Sequence, residues 1–477
     1  RRWGAQAGTR LAGILELRRA SVWTPLDTVR PPTRRLSRLP SAAGAGMLAE
    51  QQGSLLAIFR PRSRATFGFE TGRPLNRLPR DELNGALAAE SAGTWQCTFA
   101  ECEGGPACVC HTKLQQVSGA DSPAAEEEAM DMLRRAAEHC ALVHGVYEIL
   151  AEATDAASAA ALGAGRAAAA YSQGKRGGWS LRFLVCGASR PMTRDEQLAG
   201  IGPAEGAIAA VLPPDERLGG GPAGGRLPLL VLRAPDGSVV RLLRRVASGG
   251  AVGGATEFVP MEAASPRVAR GGLLSAYALS KRPWRGRTDM CPEVAFIAAN
   301  LASVRQNDAV LDPCAGACGL LIAAAAFGAQ VGGVDIDANA VEAARRNFLA
   351  LGLPPPALGL HSGNILEEEE EGEAWPAALS MRQFDAVLCD PPYGMKAAVC
   401  AAGVSRTVEA VAGLAVRRLR PGGRLVLFAP SRRGGDGARL LPPELPPELR
   451  LLCRHPQVRR KRYDDWYSVR VVRVQGL

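Results

Sequence analysis

Residues 308–337 read DAVLDPCAGACGLLIAAAAFGAQVGGVDID, and the fold prediction starts from this stretch. Asp308–Leu311 is a short apolar run that predicts a strand, and a glycine-rich turn follows it. Gly319–Phe327 has the length and apolar content of a helix, and Gln330–Val334 predicts a second strand. A strand, a tight turn, a helix and another strand in succession indicate a parallel βαβ unit.

The alternation of helix and strand continues from residue 338 to the end of the chain. It predicts an α/β fold in which a doubly wound, mostly parallel sheet binds its ligand at the carboxyl ends of the strands. The last two predicted strands form an antiparallel edge. The predicted elements are helices at Asn339–Leu349 and Val408–Leu419 and strands at Leu358–His361, Phe384–Cys389, Arg424–Phe428, Leu449–Arg454 and Trp466–Val474.

A polar residue follows each of the first four predicted strands of this region. Asp312 opens a loop in which Pro313, Gly316 and Gly319 let the backbone approach a ligand, and the following helix begins there. Asp335 is placed for ribose hydroxyls. Asn364 can contact an adenine ring, and Asp390 ends the fourth strand. This order predicts S-adenosylmethionine as the cofactor. A nicotinamide dinucleotide would account for Asp312 and Asp335 only.

The segment Asp390-Pro391-Pro392-Tyr393-Gly394 predicts the chemistry. An exocyclic amine on a base or an amide is a poor nucleophile because its lone pair is delocalised. The Asp390 carboxylate and the Pro391 carbonyl would accept its two hydrogens and favour an attacking geometry. Pro392 stiffens the backbone, and Tyr393 would stack on the base. The alternative is an ordinary turn after a core strand.

The bulk composition favours a nucleic acid partner. The chain has 477 residues, a net charge of +10 and a pI near 9.2, with arginine far more abundant than lysine. Arginine suits phosphate contacts. The 12 cysteines follow no paired framework, which indicates free thiols in a reducing compartment. No apolar run has the length of a membrane span, so we expect no membrane partner.

The chain before residue 266 is predicted to contain two parts. Residues 1–46 hold nine arginines and two acidic residues, which predicts a disordered leader, either a transit peptide or an upstream extension before Met47. Residues 47–265 show mixed α and β signals and form an N-terminal α+β region. Residues 266–477 form the α/β domain.

The elements predicted within residues 47–265 are a hairpin at Cys97–Leu114, a helix at Ala124–Glu138, a strand at Trp179–Cys186 and a hairpin formed by Leu227–Leu232 and Ser238–Leu243.

The stretch Tyr277–Phe348 resembles the tRNA (guanine-N2-)-methyltransferases that act at position 10, of the eukaryotic catalytic subunit type with a THUMP domain. The resemblance is carried by Arg282–Met290, by Leu320–Asp337, by Asp390–Gly394 and by Pro421–Val426. It is clear over residues 271–477 and faint over 125–262, where Leu142–Glu152 and a strand with Thr193–Glu196 echo the THUMP region.

This resemblance implies a Rossmann-like class I methyltransferase domain at the C-terminus and a THUMP-like RNA-binding region before it. It implies methyl transfer from S-adenosylmethionine to the N2 amine of guanosine 10 in tRNA. Thr288 and Ile336 become cofactor-binding residues, and Arg282–Met290 becomes a segment that helps to hold the methionine end of the cofactor. The family also implies a small zinc-ribbon activating subunit as a partner and a cytoplasmic location, or an organellar one if residues 1–46 are a transit peptide.

Three positions depart from the family pattern. Cys314 stands where the family has an aromatic residue, Cys318 where it has a glycine, and Asn364 where it has an acid. These departures leave open a second class of function, an RNA-binding protein with a degenerate cofactor pocket. Within enzymes, the alternative substrate is another planar amine, either adenine N6 in RNA or DNA or a protein glutamine.

Two further groups of residues are candidates for binding. The group Cys97, Cys102, Cys108, Cys110 and His111 could hold zinc, but its spacing favours buried thiols in strands, and we predict no metal. The basic residues near the end of the chain are candidates for RNA contact, because cations beside aromatic residues bind phosphates and stack on bases. They are Arg432, Arg433, Arg460, Lys461 and Arg462.

Overall fold

Two seven-stranded sheets make up the core of the described chain, as seen in a computed structural model. The described residues all belong to a single compact unit. The structure describes residues 54–59, 77–101, 109–118, 123–174, 178–185, 192–213, 226–234, 236–250, 272–286, 289–366, 375–380, 382–392, 401–432, 445–457 and 463–473. The predicted leader, residues 1–46, lies outside these ranges.

The first sheet begins with a βαββαβ unit. Its elements are β1 (Leu55–Phe59), α1 (Arg77–Glu90), β2 (Trp95–Glu101), β3 (Val109–Gln116), α2 (Pro123–His139) and β4 (Val143–Ala153). The strand order β2-β3-β1-β4, with every neighbouring pair antiparallel, is the ferredoxin-like arrangement. It includes the predicted hairpin at Cys97–Leu114 and the predicted helix at Ala124–Glu138.

A second group of elements extends the same sheet. These are α3 (Ala156–Gln173), β5 (Trp179–Val185), α4 (Arg194–Ala209), β6 (Leu227–Arg233) and β7 (Val240–Ser248). Strand β7 pairs with β4, and the complete order is β2-β3-β1-β4-β7-β6-β5, with β5 parallel to β6. The predicted hairpin is present, since β6 and β7 are antiparallel with Leu232 opposite Arg241.

The second sheet confirms the predicted α/β fold. Its elements are α5 (Gly272–Ala276), α6 (Pro292–Leu301), β8 (Ala309–Asp312), α7 (Gly319–Ala326), β9 (Gln330–Asp335), α8 (Ala338–Ala350), β10 (Gly359–Ser362), α9 (Ala377–Ser380), β11 (Phe384–Cys389), α10 (Ala401–Arg418), β12 (Leu419–Arg432), β13 (Leu449–Gln457) and β14 (Tyr463–Arg473). The order is β10-β9-β8-β11-β12-β14-β13, in which the first five strands are parallel and β14 is antiparallel to both neighbours.

This order is Rossmann-like, because the chain moves outward from β8 in one direction and then returns to continue on the other side. The insertion of the last strand between the fifth and the sixth is the topology of the class I methyltransferase domain. The order reverses between β8 and β11, so a crevice opens at their carboxyl ends.

Several helices were not predicted from the sequence. Helix α6 is buried on all sides, and α3 is rich in alanine and glycine, so neither shows a clear polar and apolar period. Helix α1 was also missed. The strand expected to contain Thr193–Glu196 is wrong. Thr193 caps α4 instead, and it forms a reciprocal capping box with Glu196.

The two sheets meet where α1 packs against α6. Gly85 makes this close approach possible, because a β-carbon there would lie 2.0 Å from the backbone oxygen of Asn300. Glu82 is fully buried in the same junction. Its carboxylate accepts hydrogen bonds from the backbone N–H groups of Ala141 (2.7 Å) and Leu142 (2.9 Å) and from the amide of Asn300 (3.1 Å).

The described cysteines of the β2–β3 hairpin fit the interpretation as buried thiols. Cys97 and Cys110 lie in the core of the first sheet, and burial raises the pKa of Cys97 to about 12. Cys102 and Cys108 lie outside the described residues. Among the helices that the structure describes, none is both long enough and apolar enough to cross a bilayer.

Candidate cofactor and active site

A cavity of about 410 Å³ opens at the carboxyl ends of β8, β9 and β11. Its volume lies in the range of small-molecule sites, roughly 300–1,000 Å³. Five of its lining residues are aspartates: Asp289, Asp312, Asp335, Asp337 and Asp390. The sequence predicted three of them as ligand-binding residues at strand ends, and the structure brings these three together in one cavity.

Asp312 has the most unusual electrostatic environment of this group. It ends β8, is 2% exposed, and accepts a hydrogen bond from the N–H of Cys314 at 3.0 Å. Burial raises the pKa of Asp312 well above its ordinary value, and the nearby carboxylates of Asp335 and Asp390 raise it further. Carboxyl groups that disfavour one another's charged form favour a ligand that carries positive charge, because such a ligand relieves their repulsion.

The loop after β8 is held against β9 by backbone hydrogen bonds. The two oxygens of Asp335 accept hydrogen bonds from the N–H groups of Gly316 (2.7 Å) and Asp337 (2.9 Å). The N–H of Ala315 donates to the carbonyl of Val334 at 2.9 Å. Asp335 therefore fixes the loop, and its oxygens still have lone pairs for a ribose hydroxyl.

Gly316 gives the loop its shape. Its φ is +50°, a left-handed conformation that costs glycine little, and a β-carbon there would meet no atom within 4 Å. The loop backbone is therefore open to a ligand at this position. Gly319, which begins α7, also lines the cavity, and its close approach to a ligand stays a prediction.

Cys318 does not face this cavity. It has a φ of 62° and caps the start of α7, which explains why glycine suits the position. Its side chain is 1% exposed, lies in the core of the second sheet, and is absent from the described residues that line the cavity. The departure from the family pattern therefore strains the backbone and does not narrow the cavity.

Two charged residues beside the cavity have unused hydrogen-bonding groups. Arg282 is 4% exposed, and its Nε and Nη1 have no hydrogen-bond partner among the described residues. The Oδ2 atom of Asp289, which lines the cavity, likewise lacks one there. Nη1 lies 3.8 Å from the position that a β-carbon on Gly319 would take. The buried guanidinium of Arg282 could donate hydrogen bonds to the carboxylate of an amino acid. The Oδ2 atom of Asp289 could accept a hydrogen bond from its ammonium group.

The proposed reaction centre begins where β11 ends. Asp390 lines the cavity directly after this buried strand, Pro391 is buried and Pro392 is exposed. Tyr393 and Gly394 lie outside the described residues, as does Thr288. Cys314 also lines the cavity, and its thiol contacts that of the buried Cys389.

Other predicted site residues are not brought to the lining of the cavity. Asn364 follows β10, where its Oδ1 accepts a hydrogen bond from the N–H of Leu366 at 3.1 Å, and its contact with adenine stays a prediction. Ile336 is 74% exposed between two lining aspartates. Pro313 is buried in the loop. Only the backbone of Arg432 is described, and Arg433, Arg460, Lys461 and Arg462 lie outside the described residues.

The sequence interpretation did not single out several lining residues. Trp284, Asp289 and Met290 lie in the segment Arg282–Met290, to which only the resemblance gave a role. Asp337 caps α8 by accepting a hydrogen bond from the N–H of Asn339 at 2.9 Å. An aspartate two residues after a strand-ending aspartate and directly before a helix is a recognisable signal for this position.

The strand order defines a class I methyltransferase fold, and an acidic cavity lies at its switch point. Residues 280–414 match the family model described as "Conserved hypothetical protein 95". This stretch includes β8 to β11 and the lining aspartates.

Sequence relatives narrow the comparison. Over 136 residues, the chain is 37% identical to "tRNA (guanine(10)-N(2))-methyltransferase TRMT11" of Rattus norvegicus. The matched stretch covers 26% of this chain and 29% of the relative. The protein of the same name from Homo sapiens is 36% identical over 136 residues, with the same coverage of 26% and 29%. The match thus spans less than a third of the length of these relatives.

Solved structures resemble a larger part of the chain at lower identity. TrmN from Thermus thermophilus is 18% identical, with 88% of this chain and 99% of that chain covered at a TM-score of 0.42. A predicted N6-adenine-specific DNA methylase from Listeria monocytogenes is 12% identical, with 91% and 99% covered at a TM-score of 0.40. The strand order, and not these likenesses, establishes the fold.

Proposed function

We propose that this chain transfers a methyl group from S-adenosylmethionine to the N2 amine of guanosine 10 in tRNA. The observation that carries the proposal is the convergence of Asp312, Asp335 and Asp390 in one cavity at the carboxyl ends of three neighbouring strands. The third of these aspartates begins the Asp-Pro-Pro-Tyr segment, whose chemistry requires a methyl donor beside it.

The residues around the cavity fit S-adenosylmethionine. The open backbone at Gly316 and the carboxylate of Asp335 would receive the nucleoside part. Asp289 and Arg282 would receive the ammonium and carboxylate groups of the methionine part, using the unpartnered atoms noted above. When bound, the cofactor supplies an electrophilic methyl group on a sulfonium, and the acidic lining complements that positive charge.

The role of Asp390 follows from its place at the end of β11. Its carboxylate accepts one hydrogen of the amine, and the carbonyl of Pro391 accepts the other, which localises the nitrogen lone pair toward the methyl donor. Tyr393 stacks on the base. A base can reach this cavity only after it has left its stack, so the enzyme acts on a flipped nucleotide.

The choice of substrate rests on the relatives and on charge. Relatives that match the catalytic region carry the printed name tRNA (guanine(10)-N(2))-methyltransferase, and the net charge of +10 suits a polyanion. A THUMP-like RNA-binding role for residues 47–265, contacts from the basic residues near the C-terminus, a zinc-ribbon activating subunit and a cytoplasmic location belong to the same proposal.

Methylation of another planar amine, such as adenine N6 or a protein glutamine, is the alternative within enzymes, because Asp390 and Pro391 recognise the amine and not the ring. A binding protein without cofactor is the alternative outside enzymes. The side chain of Cys318 is buried in the core and does not reduce the volume of the cavity. This observation favours an enzyme over a binding protein without cofactor.

The substitution Asp390→Ala tests the proposal. It removes one acceptor of the amine hydrogens, and we expect methyl transfer to fall by roughly a hundredfold or more. The binding of S-adenosylmethionine, measured by calorimetry, should persist. Glu342→Gln on the exposed face of α8 is the control and should keep full activity. If Asp390→Ala kept wild-type activity, the proposed mechanism would be wrong.

A further inference from the structure

A second group of polar side chains meets outside the cofactor cavity, where α1 of the first sheet approaches β13 of the second. Asp81 comes from α1, and Cys453 and His455 come from β13. The Nε2 atom of His455 lies 3.1 Å from Oδ2 of Asp81. One oxygen, one sulfur and one nitrogen from these three residues all lie within 4.8 Å of one another.

The local structure explains why these side chains converge. Cys453 and His455 are two residues apart on a strand, so their side chains point to the same face. They pair with Arg470 and Ser468 of β14, and the register shifts between Leu451 and Cys453. A bulge of this kind changes the direction in which the following side chains point.

Burial makes His455 the most informative member of the group. It is 2% exposed, and its Nε2 makes no hydrogen bond with any part of the chain that the structure describes. This nitrogen lies close to the Asp81 carboxylate without hydrogen-bond geometry, and a bound ion would satisfy a buried polar atom in that state. An ion pair between Asp81 and His455 would account for two of the three residues, whereas a bound metal ion would use a donor atom from all three.

The surroundings leave room for a further ligand. A cavity of about 260 Å³ is lined by Asp81 and Cys453 and also by Arg77 and Arg80. A divalent ion bound to one carboxylate, one thiolate and a neutral imidazole forms a site of net charge zero. The two arginines therefore do not oppose its formation.

We propose that Asp81, Cys453 and His455 bind a zinc ion that links α1 to β13. Oxygen, sulfur and nitrogen donors together are the ligand set of zinc, and water from the cavity would complete a tetrahedral shell. Ligand atoms around zinc lie about 3.3–3.8 Å apart, so small side-chain rotations would close the group. The Cys453 thiol releases its proton to solvent when the ion binds. This site is separate from the methyl-transfer centre and takes no part in that reaction.

Cobalt binding to the full chain tests the site. After treatment with a chelator, we expect the wild type to bind one equivalent of Co²⁺ with a thiolate charge-transfer band in the near ultraviolet. Cys453→Ser should lose this band, and Asp81→Asn should weaken cobalt binding by roughly tenfold or more. Cys291→Ser, at the start of α6, is the matched control and should keep the band.

Thermal unfolding separates the metal site from a simple ion pair. Added zinc should raise the unfolding midpoint of the wild type and of Cys291→Ser, because the ion binds the folded chain, and should leave Cys453→Ser unchanged. A wild type without the cobalt band, a band that survives Cys453→Ser, or equal responses of the wild type and Cys453→Ser to zinc would each overturn the proposal.

Discussion

At the scale of single residues, the cofactor site depends on backbone conformations that only some residues tolerate. Gly316 and Cys318 both have positive φ angles in the loop between β8 and α7, but their surroundings differ. The space around Gly316 is open, whereas the side chain of Cys318 is buried in the core. The two positions therefore respond differently to substitution.

Cys318→Gly should leave the dissociation constant for S-adenosylmethionine within about a factor of two, because the thiol does not reach the cavity. Release of the left-handed strain, about 1–2 kcal/mol, offsets the loss of buried contacts. Gly316→Ala should weaken binding by roughly tenfold, because its methyl group enters the space proposed for the ligand. Calorimetry measures both. Much tighter binding by Cys318→Gly would show that the cysteine does obstruct the cofactor.

The sequence predicts where a residue lies when that residue ends a strand, but it does not place residues in irregular segments. Asp312, Asp335 and Asp390 could be predicted because the carboxyl ends of parallel strands meet at one edge of the sheet. Asp289 and Trp284 could not be placed, since they lie in an irregular segment whose path depends on tertiary packing. The direction of the Cys318 side chain depends on its φ angle, which the residue type does not reveal.

At the scale of elements, glycines decide how closely helices approach their neighbours. Helix α1 contains Gly85, where a β-carbon would collide with the backbone oxygen of Asn300 in α6 at 2.0 Å. Helix α3 contains Gly165, which is exposed and has nothing within 4 Å of a built β-carbon. The same substitution should therefore have opposite effects in the two helices.

Gly165→Ala should stabilise the chain by about 0.5–1 kcal/mol, because alanine has the higher helix propensity. Gly85→Ala should destabilise it by roughly 1–3 kcal/mol, because α1 and α6 must move apart. Urea unfolding monitored by circular dichroism gives both values. A stabilising effect at Gly85 would contradict the close packing of these helices.

The elements that could be predicted are those with a clear period or clear boundaries. Phe384–Cys389 was predicted to the residue, because it is an apolar run with a proline turn directly after it. Helix α6 has ten buried residues and hence no polar face, and α3 is mostly alanine. The Thr193–Glu196 segment is short and polar, and only the capping box identifies it as the start of a helix.

At the scale of the whole molecule, Glu82 connects the two sheets. It is fully buried, and burial raises its pKa from 4.5 to about 7 even though three hydrogen bonds favour the charged form. The nearby carboxylate of Glu293 contributes to the same rise. Since the folded pKa exceeds the unfolded one, this group stabilises the folded state fully below pH 4.5 and loses that contribution as the pH rises through 7.

Glu82→Gln removes this titration. Relative to the wild type, the variant should therefore gain roughly 3 kcal/mol of unfolding free energy between pH 4.5 and pH 7. Denaturant unfolding at several pH values measures the difference. Glu127→Gln, exposed on α2, is the control and should follow the wild type. If Glu82→Gln and the wild type differed by a constant amount at all pH values, Glu82 would not titrate in this range.

The central claim concerns the whole molecule, because it requires a cofactor, a catalytic aspartate and a tRNA to act together. The most direct test of this claim is to incubate the full chain with methyl-labelled S-adenosylmethionine and unmodified tRNA. The activating partner is added where one is required. Nucleoside analysis of the product should find the label in N2-methylguanosine at position 10. Label in N6-methyladenosine instead would contradict the account.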